Sequence, residues 1–496
     1  MFNKVLIANR GEIAVRIMRT CREMGIRTVA VYSDADRRAR HVVEADEAVR
    51  IGTAAPGDSY LRGDRIIDAA RATGAEAIHP GYGFLSENDA FADDCVRAAL
   101  AFVGPPADAM AAMGSKTRAR RLMQAAGVPV VPGESPEDQS DDALAAAVER
   151  VGRPALVKPS EGGGGIGMRV VSRDSDAIAE IQAARRAAEH AFGDGTLYVE
   201  RLIERPRHVE IQVFADAHDA CVSLFERECS LQRRHQKVVE ESPSPVMTPE
   251  LRRQMGEAAV AAARAAGYRN AGTVEFLVEG GDTDSPRFYF LEMNTRLQVE
   301  HPVTEQVLGL DLVRAQLAVA AGQPLPFRTE RLQQRGHAIE LRIYAEDPAQ
   351  GFLPQAGPLL LYREPRGPGV RVDSGVIEGG EVPVHYDPLL AKLIVTAETR
   401  AAALARADRA LTEFAILGIV TNVPVLRALL RHPDVQAGRL DTGLIDRVLP
   451  SLTAAHDLPL PVAAAAAQHA LRTPGSTRAG TSPPVADAWS DLRWRG

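Results

Sequence analysis

The stretch LEMNTRLQVEHPVTE, residues 291–305, carries a polar side chain at every second position. The polar positions are Glu292, Asn294, Arg296, Gln298 and Glu300, and they alternate with Met293, Thr295, Leu297 and Val299. Side chains two residues apart share a face of an extended chain, so the spacing predicts a strand with all five groups on one surface. A solvated face of ion pairs would have the same period. The mixture of acid, amide and guanidinium, without repeated Lys and Glu, favours a binding or catalytic row instead.

A hairpin of two strands is predicted to lead into this row. GTVEFLVEG (272–280) and RFYFLE (287–292) have the apolar and aromatic composition of strands. The segment GDTDSP between them consists of turn-forming residues. The resulting hairpin folds Glu275 back toward Glu292. Two carboxylates and the amide of Asn294 would then offer the hard oxygen ligands that suit Mg²⁺.

The overall composition is that of a globular protein. The chain has 496 residues, of which 45% are hydrophobic and 25% charged, enough for roughly three domains. A formal charge of −7 gives no basic field for nucleic acid. The four cysteines form no CxxC pair, which favours a reducing compartment over a disulfide frame or a zinc site. No apolar run approaches the ~18 residues of a membrane span, and the N-terminus enters a strand pattern without a signal peptide. We predict a cytoplasmic protein.

The first 114 residues show the pattern of a parallel sheet. KVLIANRGEIAVRIMRTCREMGIRTVAVYS predicts a strand, a glycine turn, a helix and a second strand. AIHPGYGFLSEN (77–88) follows another predicted helix, and AFVGP (101–105) predicts a further strand. Residues 1–114 are therefore predicted to form one doubly wound α/β domain. A tight GxGxxG is absent, which argues against dinucleotide binding.

Three further regions follow. Residues 115–203 combine Ala-rich helices with short strands around a glycine-rich loop, and we predict a small α+β lid. Residues 204–448 contain strand patterns such as HVEIQVFAD, CVSLFER and HAIELRIYAED, and we predict a strand-rich domain. Residues 449–496 are low in complexity, with turn-forming residues and a predicted short helix.

The glycine-rich loop is KPSEGGGGIGM, residues 158–168. Glycine amides are unshielded by Cβ atoms and can close over phosphate oxygens. No GK[ST] follows, so the loop is not a Walker A motif, and a flap between two strands is predicted. A hairpin tip without a ligand is the alternative. Lys158 at the foot of the loop, and Lys116 in MGSKTRAR, add cations that favour phosphate binding.

Lysine is rare in this chain. Of the 58 basic residues, lysines occur only at positions 4, 116, 158, 237 and 392. Because arginine is so much commoner, the remaining lysines indicate positions that need a compact ammonium rather than a planar guanidinium. Retention by chance would explain any single one of these lysines.

Two further segments carry histidines near these lysines. RHVEIQVFAD (207–216) places His208 and Glu210 on one strand face. LQRRHQKVVEE (231–241) is interpreted as a polar loop that carries Gln232, His235 and Lys237. Each histidine alone would most simply be structural. Together with the lysines they indicate a nucleotide or anion site.

From residue 1 to about residue 448 the sequence resembles the biotin carboxylase component of biotin-dependent carboxylases, which has an ATP-grasp fold. The resemblance is carried by IANRGEIAVRI, AIHPGYGFLSEN, MGSKTRAR, KPSEGGGGIGM, RHVEIQVFAD, LQRRHQKVVEE, GTVEFL, EMNTRLQVEHPVTE and GHAIELRIYAEDP. It implies an α/β fold whose central part is α+β. An N-terminal parallel-sheet domain, a glycine-flap lid and a C-terminal antiparallel-sheet domain are expected.

The resemblance also implies a role for each matching residue. The implied ATP-binding residues are Lys116, Lys158, Gly163, Gly164, Gly165, Met168, Glu200, Arg201, Leu202, His208, Gln232, His235 and Leu277. The implied ligands of Mg²⁺ or Mn²⁺ are Glu275, Glu292 and Asn294. Bicarbonate would be held by Lys237, Arg296, Gln298 and the Val299 backbone. Glu300 would be the general base, and Arg342 would stabilise the biotin enolate; with Arg296 and Lys237 they form the implied catalytic set.

The glycine loop departs from the family pattern. Ile166 stands where the family usually has Arg or Lys, and Glu161 where it usually has Gly or Ala. The loop therefore loses a cation and gains an anion, which predicts weaker ATP binding.

Two other functions stay open: an ATP-grasp ligase that joins a carboxylate to an amine, and a non-catalytic homologue, which Ile166 alone favours.

The expected partners follow from what the chain does not encode. A transferase domain and a Met-Lys-Met biotin acceptor are both absent from the sequence. Biotin is therefore expected on a separate carrier protein or domain. The second expected partner is a carboxyltransferase subunit, and a homodimer or larger complex is expected. HPDVQAGRLDTGLID (432–446) and the tail resemble α subunits of acyl-CoA carboxylases of the propionyl or methylcrotonyl type, in which the tail leads to a subunit-contact region.

Overall fold

The N-terminal strands form the predicted parallel sheet. The computed structural model describes residues 1–160, 166–280, 286–328 and 331–453. The first elements are β1 (Lys4–Ile7), α1 (Gly11–Glu23), β2 (Arg27–Ser33), α2 (Arg40–Glu44), β3 (Glu47–Gly52), α3 (Gly63–Thr73), β4 (Ala77–His79), α4 (Asp89–Arg97), β5 (Ala101–Phe102) and α5 (Ala107–Gly114). The strands pair in parallel in the order β3-β2-β1-β4-β5, and β5 is shorter than AFVGP predicted. Val5, Leu6 and Ile7 of the central β1 are fully buried, as expected of a parallel strand covered on both faces.

A small four-stranded sheet with two covering helices follows. Its elements are α6 (Lys116–Ala125), β6 (Gly133–Glu134), α7 (Asp141–Val151), β7 (Ala155–Pro159), β8 (Arg169–Val171), α8 (Ala177–Phe192) and β9 (Leu197–Arg201), and the strand order is β6-β9-β7-β8. Leu144 of α7 and Ile181 of α8 pack on Val157 and Val199 of the sheet. β7 and β8 are the two antiparallel strands predicted on either side of the glycine loop. Residues 161–165 of that loop, including Gly163, Gly164 and Gly165, lie outside the described residues.

The largest sheet has eight antiparallel strands. The remaining elements are β10 (Arg207–Ala215), β11 (Cys221–Arg233), β12 (Gln236–Ser242), α9 (Pro249–Ala265), β13 (Asn270–Glu279), β14 (Arg287–Asn294), α10 (His301–Leu308), α11 (Leu312–Ala320), β15 (His337–Tyr344), β16 (Glu346–Asp347), β17 (Leu353–Pro354), β18 (Gly357–Pro358), β19 (Leu361–Arg363), β20 (Val370–Ser374), β21 (Glu381–Val382), β22 (Leu389–Ala397), α12 (Arg400–Glu413), β23 (Ala415–Leu417), α13 (Val423–Arg431), α14 (Pro433–Gln436) and α15 (Leu444–Leu452). The order in the large sheet is β14-β13-β10-β11-β12-β15-β22-β20. The short strands form three separate pairs, β16-β17, β18-β21 and β19-β23.

The polar row at 292–300 is only partly a strand. β14 ends at Asn294, and α10 begins at His301, so the prediction of one extended strand is wrong beyond Asn294. The physical reason is a contact from the N-terminal sheet region: Glu87 accepts from the backbone N–H of Thr295 at 3.0 Å and takes that amide away from the strand ladder. Pro302 in the first turn then favours the start of a helix.

The segment LQRRHQKVVEE is a hairpin rather than the predicted loop. β11 ends at Arg233 and β12 begins at Gln236, so two residues make the turn. Arg234 and His235 both have positive φ, 49° and 65°, which is the backbone of the tight turn that matches the twist of paired strands. The two residues are not the usual Asn and Gly of such turns, which explains the wrong prediction.

The compact body of the chain ends near residue 449. Residues 1–449 form one unit, and beyond it the structure describes only residues 450–453. The predicted low-complexity segment lies outside the described residues from position 454 onward. Within the described part of the chain, every helix is too short or too polar to cross a membrane.

Candidate active site

Glu275 is the centre of the site. The β13–β14 register sets it directly opposite Glu292, as the hairpin predicted. Its buried carboxylate accepts from Lys237 at 2.7 Å, Asn294 at 2.9 Å and Gln298 at 3.2 Å. The Nε2 atom of His208 lies 2.9 Å from it. Burial opposes the charge, but the cations beside it hold the pKa of Glu275 far below its usual value.

Glu292 and Glu275 together could hold a divalent cation. Burial raises the pKa of Glu292, and the neighbouring charge of Glu275 raises it further, while Lys116 opposes the shift. The two carboxylates repel each other, and a divalent cation would relieve that repulsion. With the amide oxygen of Asn294 they make an all-oxygen set, which fits Mg²⁺ or Mn²⁺.

Lys237 joins three carboxylates from different elements. Its Nζ lies 2.6 Å from Glu300, 2.7 Å from Glu210 and 2.7 Å from Glu275. Burial lowers the pKa of Lys237, but the three acids outweigh that effect and raise it well above its usual value. Glu210 also accepts from the fully buried Arg227 of β11. Lys237 of β12 is therefore a charged ammonium at the point where β10, β13 and the turn before α10 bring their acids together.

Glu300 lies between two cations. One carboxylate oxygen accepts from Lys237, and the other accepts from Arg342 at 3.0 Å. Burial would raise the pKa of Glu300, but these cations and Arg227 hold it well below its usual value. Arg342 also donates to Glu240 at 2.6 Å, and burial raises the pKa of Glu240 to about 7 against the opposing charge of Arg342. Glu300 is therefore ionised at neutral pH.

The guanidinium of Arg296 is held at three of its nitrogens. It donates to Glu87 at 2.9 Å, to Gln298 at 3.0 Å and to Asn294 at 3.3 Å. Glu87, which comes from the loop after β4, was not predicted from the sequence. Its position beyond the carboxyl end of a parallel strand, where ligand sites form, is the signal that could have found it.

The lid contributes a second group of charges. Lys158 of β7 is buried and donates to Glu200 of β9 at 3.0 Å. Glu200 also accepts from Arg120 of α6 at 2.7 Å, a residue that was not predicted from the sequence. Burial lowers the pKa of Lys158, but Glu200 raises it above the usual value. The backbone N–H of Lys116 donates to the Ser160 carbonyl at 3.2 Å and so ties the two lysine segments together.

The other predicted ATP-binding residues are more dispersed. Arg201 ends β9 and is ion-paired with Glu279 at 3.0 Å. Leu202 follows Arg201 directly, and Leu277 lies on β13, opposite His208 of β10. Gln232 is buried on β11 opposite Lys237, Met168 is half-buried before β8, and His235 is exposed at the hairpin turn.

The large antiparallel sheet, the small lid and the two-acid site define the chain as an ATP-grasp protein. The biotin carboxylase N-terminal domain model matches residues 1–110, the ATP-binding domain of the carbamoyl-phosphate synthase L chain matches 115–328, and the biotin carboxylase C-terminal domain matches 340–447. The chain belongs to the biotin carboxylase family.

Curated relatives agree with this assignment. The chain is 51% identical over 446 residues to a pyruvate carboxylase subunit from Methanothermobacter thermautotrophicus, covering 90% of each protein. It is 50% identical over 445 residues to the biotin carboxylase of Halalkalibacterium halodurans, covering 90% of this chain and 97% of that protein. It is 53% identical over 445 residues to the alpha subunit of mitochondrial methylcrotonoyl-CoA carboxylase from Oryza sativa subsp. japonica, covering 90% of this chain but only 60% of that longer protein.

Solved structures show the same fold. The biotin carboxylase domain dimer of Hydrogenobacter thermophilus 2-oxoglutarate carboxylase, in complex with MgADP, ADP and bicarbonate, has a TM-score of 0.87 and 43% identity, covering 92% of this chain and all of that one. The biotin carboxylase of Campylobacter jejuni in complex with β-γ-ATP has a TM-score of 0.86 and 43% identity, covering 90% and 99% of the two chains. The ATP-grasp prediction is confirmed.

Proposed function

We propose that this chain carboxylates biotin, presented by a separate carrier protein or domain, with bicarbonate and ATP. The observation that supports this most directly is the position of Glu300 between Lys237 and Arg342. Lys237 also contacts Glu275, one of the two acids proposed to bind the metal. Arg342 lies on β15 and contacts the other carboxylate oxygen of Glu300. A base flanked in this way can serve a phosphoryl acceptor on one side and a biotin ring on the other.

The residues for ATP binding come from the lid and the large sheet. Lys116, Lys158 and His208 would contact the phosphates, and Glu200 to Leu202 would meet the adenine. In the structure Lys158 donates to Glu200. We expect its ammonium to leave that acid and contact the phosphates when ATP binds. When bound by Glu275, Glu292 and Asn294, Mg²⁺ or Mn²⁺ would offset the charge on the transferred phosphoryl group.

Bicarbonate would be held by Arg296, Gln298, Lys237 and the Val299 backbone. The planar fork of Arg296 matches the planar anion. As a bicarbonate oxygen attacks the γ-phosphorus, Glu300 takes the bicarbonate proton, and the bond to the ADP leaving group breaks to give carboxyphosphate. The cations beside Glu300 make it a weak base until bicarbonate and biotin draw Lys237 and Arg342 away, so its basicity would rise when both substrates are present.

Arg342 would act in the second half of the reaction. Carboxyphosphate separates into CO₂ and phosphate, the phosphate removes the ureido N–H proton of biotin, and that nitrogen attacks CO₂. Negative charge develops on the ureido oxygen, and the guanidinium of Arg342 would stabilise it. Glu240 accepts from Arg342 at 2.6 Å and would keep the guanidinium in place.

The proposal extends to domains, partners and location. We propose that residues 1–114, 115–203 and 204–448 form three domains, and that residues 449–496 begin a subunit-contact region. A carrier and a carboxyltransferase are supported by relatives that are named as subunits of pyruvate and methylcrotonoyl-CoA carboxylases. A homodimer is supported by the solved structure described as a dimer. The cytoplasmic location stays a prediction.

Bicarbonate dependence tests the proposed function. The purified chain, with ATP and Mg²⁺ in CO₂-free buffer, should release ADP slowly, and added bicarbonate should accelerate that release, with a further increase from free biotin. The reason is that Glu300 and Arg296 are arranged to present an anion to the γ-phosphate. ADP release at the same rate with and without bicarbonate would contradict the carboxylase function.

Ile166 gives a prediction about ATP affinity. Its side chain is 53% exposed next to the glycine loop and supplies no charge. Ile166→Arg is expected to lower KM for ATP several-fold, because a partly exposed charge pair contributes about 1 kcal/mol and each tenfold change in affinity corresponds to about 1.4 kcal/mol. Turnover should change less. Steady-state kinetics over an ATP titration measure both values.

A matched variant separates a local contact from a general change of lid charge. Ile178 is also an exposed isoleucine of the lid, on α8. Ile178→Arg adds the same charge and is expected to leave KM for ATP unchanged. If Ile166→Arg leaves KM unchanged or raises it, position 166 does not face the phosphates.

A further inference from the structure

Lys392 is a fully buried lysine directly behind the bicarbonate segment. It lies on β22, opposite Arg342 of β15 and Asp373 of β20. Its Nζ donates to the carbonyl oxygen of Val299 at 2.6 Å and lies 3.3 Å from a carboxylate oxygen of Glu12. The rarity of lysine in the sequence pointed to this position, but the proposed function gives it no role.

The contact matters because no strand ladder fixes this part of the chain. β14 has ended at Asn294, and Val299 lies in the turn before α10. The carbonyl of Val299 belongs to the peptide that leads into Glu300, while its N–H belongs to the preceding peptide. Holding the carbonyl fixes the plane of the Val299–Glu300 peptide, and so restricts the directions in which the Val299 N–H and the Glu300 side chain can point.

Glu12 keeps the buried ammonium in place. It lies in the first turn of α1, is 3% exposed, and also accepts from the hydroxyl of Tyr82. Burial lowers the pKa of Lys392, but Glu12, Glu340 and Asp373 raise it above its usual value, so the ammonium stays charged. A buried ion pair is often no more stabilising than an apolar pair of similar volume, which makes stability a weak reason for placing a lysine here.

We infer that Lys392, held by Glu12, is a positioning residue that orients Val299 and Glu300 toward bicarbonate. The inference rests on the proposed function. It joins the N-terminal domain to the anion site, because Glu12 lies on the first helix of the chain. Lys392 itself would touch neither ATP nor bicarbonate.

Lys392→Met tests this role, since methionine keeps the length of the side chain and removes the ammonium. We expect KM for bicarbonate to rise about tenfold and kcat to fall, with KM for ATP unchanged within twofold. A purely structural role would change both KM values together. Bicarbonate-dependent ADP release, titrated separately in ATP and in bicarbonate, distinguishes the two results.

A second variant separates an effect on bicarbonate binding from a loss of thermal stability. Lys392→Met alone leaves Glu12 buried without its ammonium, so the thermal midpoint should fall. The double variant Glu12→Gln with Lys392→Met removes both charges; its midpoint should recover, while KM for bicarbonate should stay high. As a control, Lys4 also donates to a backbone carbonyl, that of Thr73 at 2.5 Å, and lies 2.8 Å from Glu47. Lys4→Met should leave KM for bicarbonate unchanged.

The outcomes separate this inference from the proposed function. If the wild type depends on bicarbonate but the double variant has a wild-type KM for bicarbonate, the positioning role is wrong and the proposed function stands. An equal rise in KM for ATP would also overturn it, as would a raised KM for bicarbonate in Lys4→Met. If the wild type shows no bicarbonate dependence, both are wrong.

Discussion

Glu300→Gln is expected to lower turnover by about 10²–10⁴-fold, the usual contribution of a general base. Glutamine has nearly the same shape but cannot accept the bicarbonate proton. The fold should survive, because Lys237 keeps its contacts with Glu210 and Glu275, and Arg342 keeps Glu240. KM for bicarbonate should stay the same or fall, since a negative charge is removed next to the anion. Bicarbonate-dependent ADP release at saturating ATP measures both parameters.

Glu340→Gln is the matched control for this substitution. Glu340 of β15 is, like Glu300, a fully buried glutamate, and within the described residues neither of its carboxylate oxygens has a hydrogen-bond partner. Burial raises the pKa of Glu340 well above its usual value, toward the neutral acid that glutamine imitates. Its replacement should therefore change turnover little. Turnover of Glu300→Gln within tenfold of wild type would rule out Glu300 as the base.

Arg296→Lys is expected to lose most turnover while ATP binding and the fold are kept. Arg296 donates to Glu87, Gln298 and Asn294, so its fork is fixed before the anion arrives. Lysine keeps the charge but has neither the fork nor the three anchoring contacts. Loss of one donor to a developing anion costs roughly 3 kcal/mol, more than a hundredfold in rate. Steady-state rates at saturating ATP, with bicarbonate varied, measure the loss.

The control for Arg296 lies at the start of the strand that precedes it. Arg287 begins β14, has a side chain that is 67% exposed, and pairs with Glu279 at 3.0 Å. Arg287→Lys makes the same chemical change away from the anion site and should leave the rate unchanged. Near-normal turnover in Arg296→Lys would mean that this guanidinium does not hold bicarbonate.

The parts of the fold that depend on neighbouring residues could be predicted from the sequence. The turn residues of GDTDSP and the apolar strands on either side of it predicted a hairpin that folds Glu275 back toward Glu292, and the structure places the two residues opposite each other. The alternation in RHVEIQVFAD correctly placed His208 and Glu210 on one face, where they meet Glu275 and Lys237.

The parts that depend on distant contacts could not. The polar row leaves the strand after Asn294, where Glu87, a residue 208 positions before Thr295, takes the next amide. Lys392 contacts Val299 across 93 positions, and nothing near either residue predicts that contact. Sequence reasoning therefore named acids and cations that cluster in the structure, but not the distant groups that contact the segment between β14 and α10.

Transfer of label from bicarbonate to biotin tests the central claim most directly. The purified chain is incubated with ATP, Mg²⁺, radiolabelled bicarbonate and free biotin. Unreacted bicarbonate is precipitated as barium carbonate under alkaline conditions, and the acid-labile label that remains in solution on biotin is counted. We predict ATP-dependent labelling of biotin that is lost in Glu300→Gln and kept in Glu340→Gln. ATP hydrolysis without any label on biotin, or equal labelling by Glu300→Gln, would contradict the account.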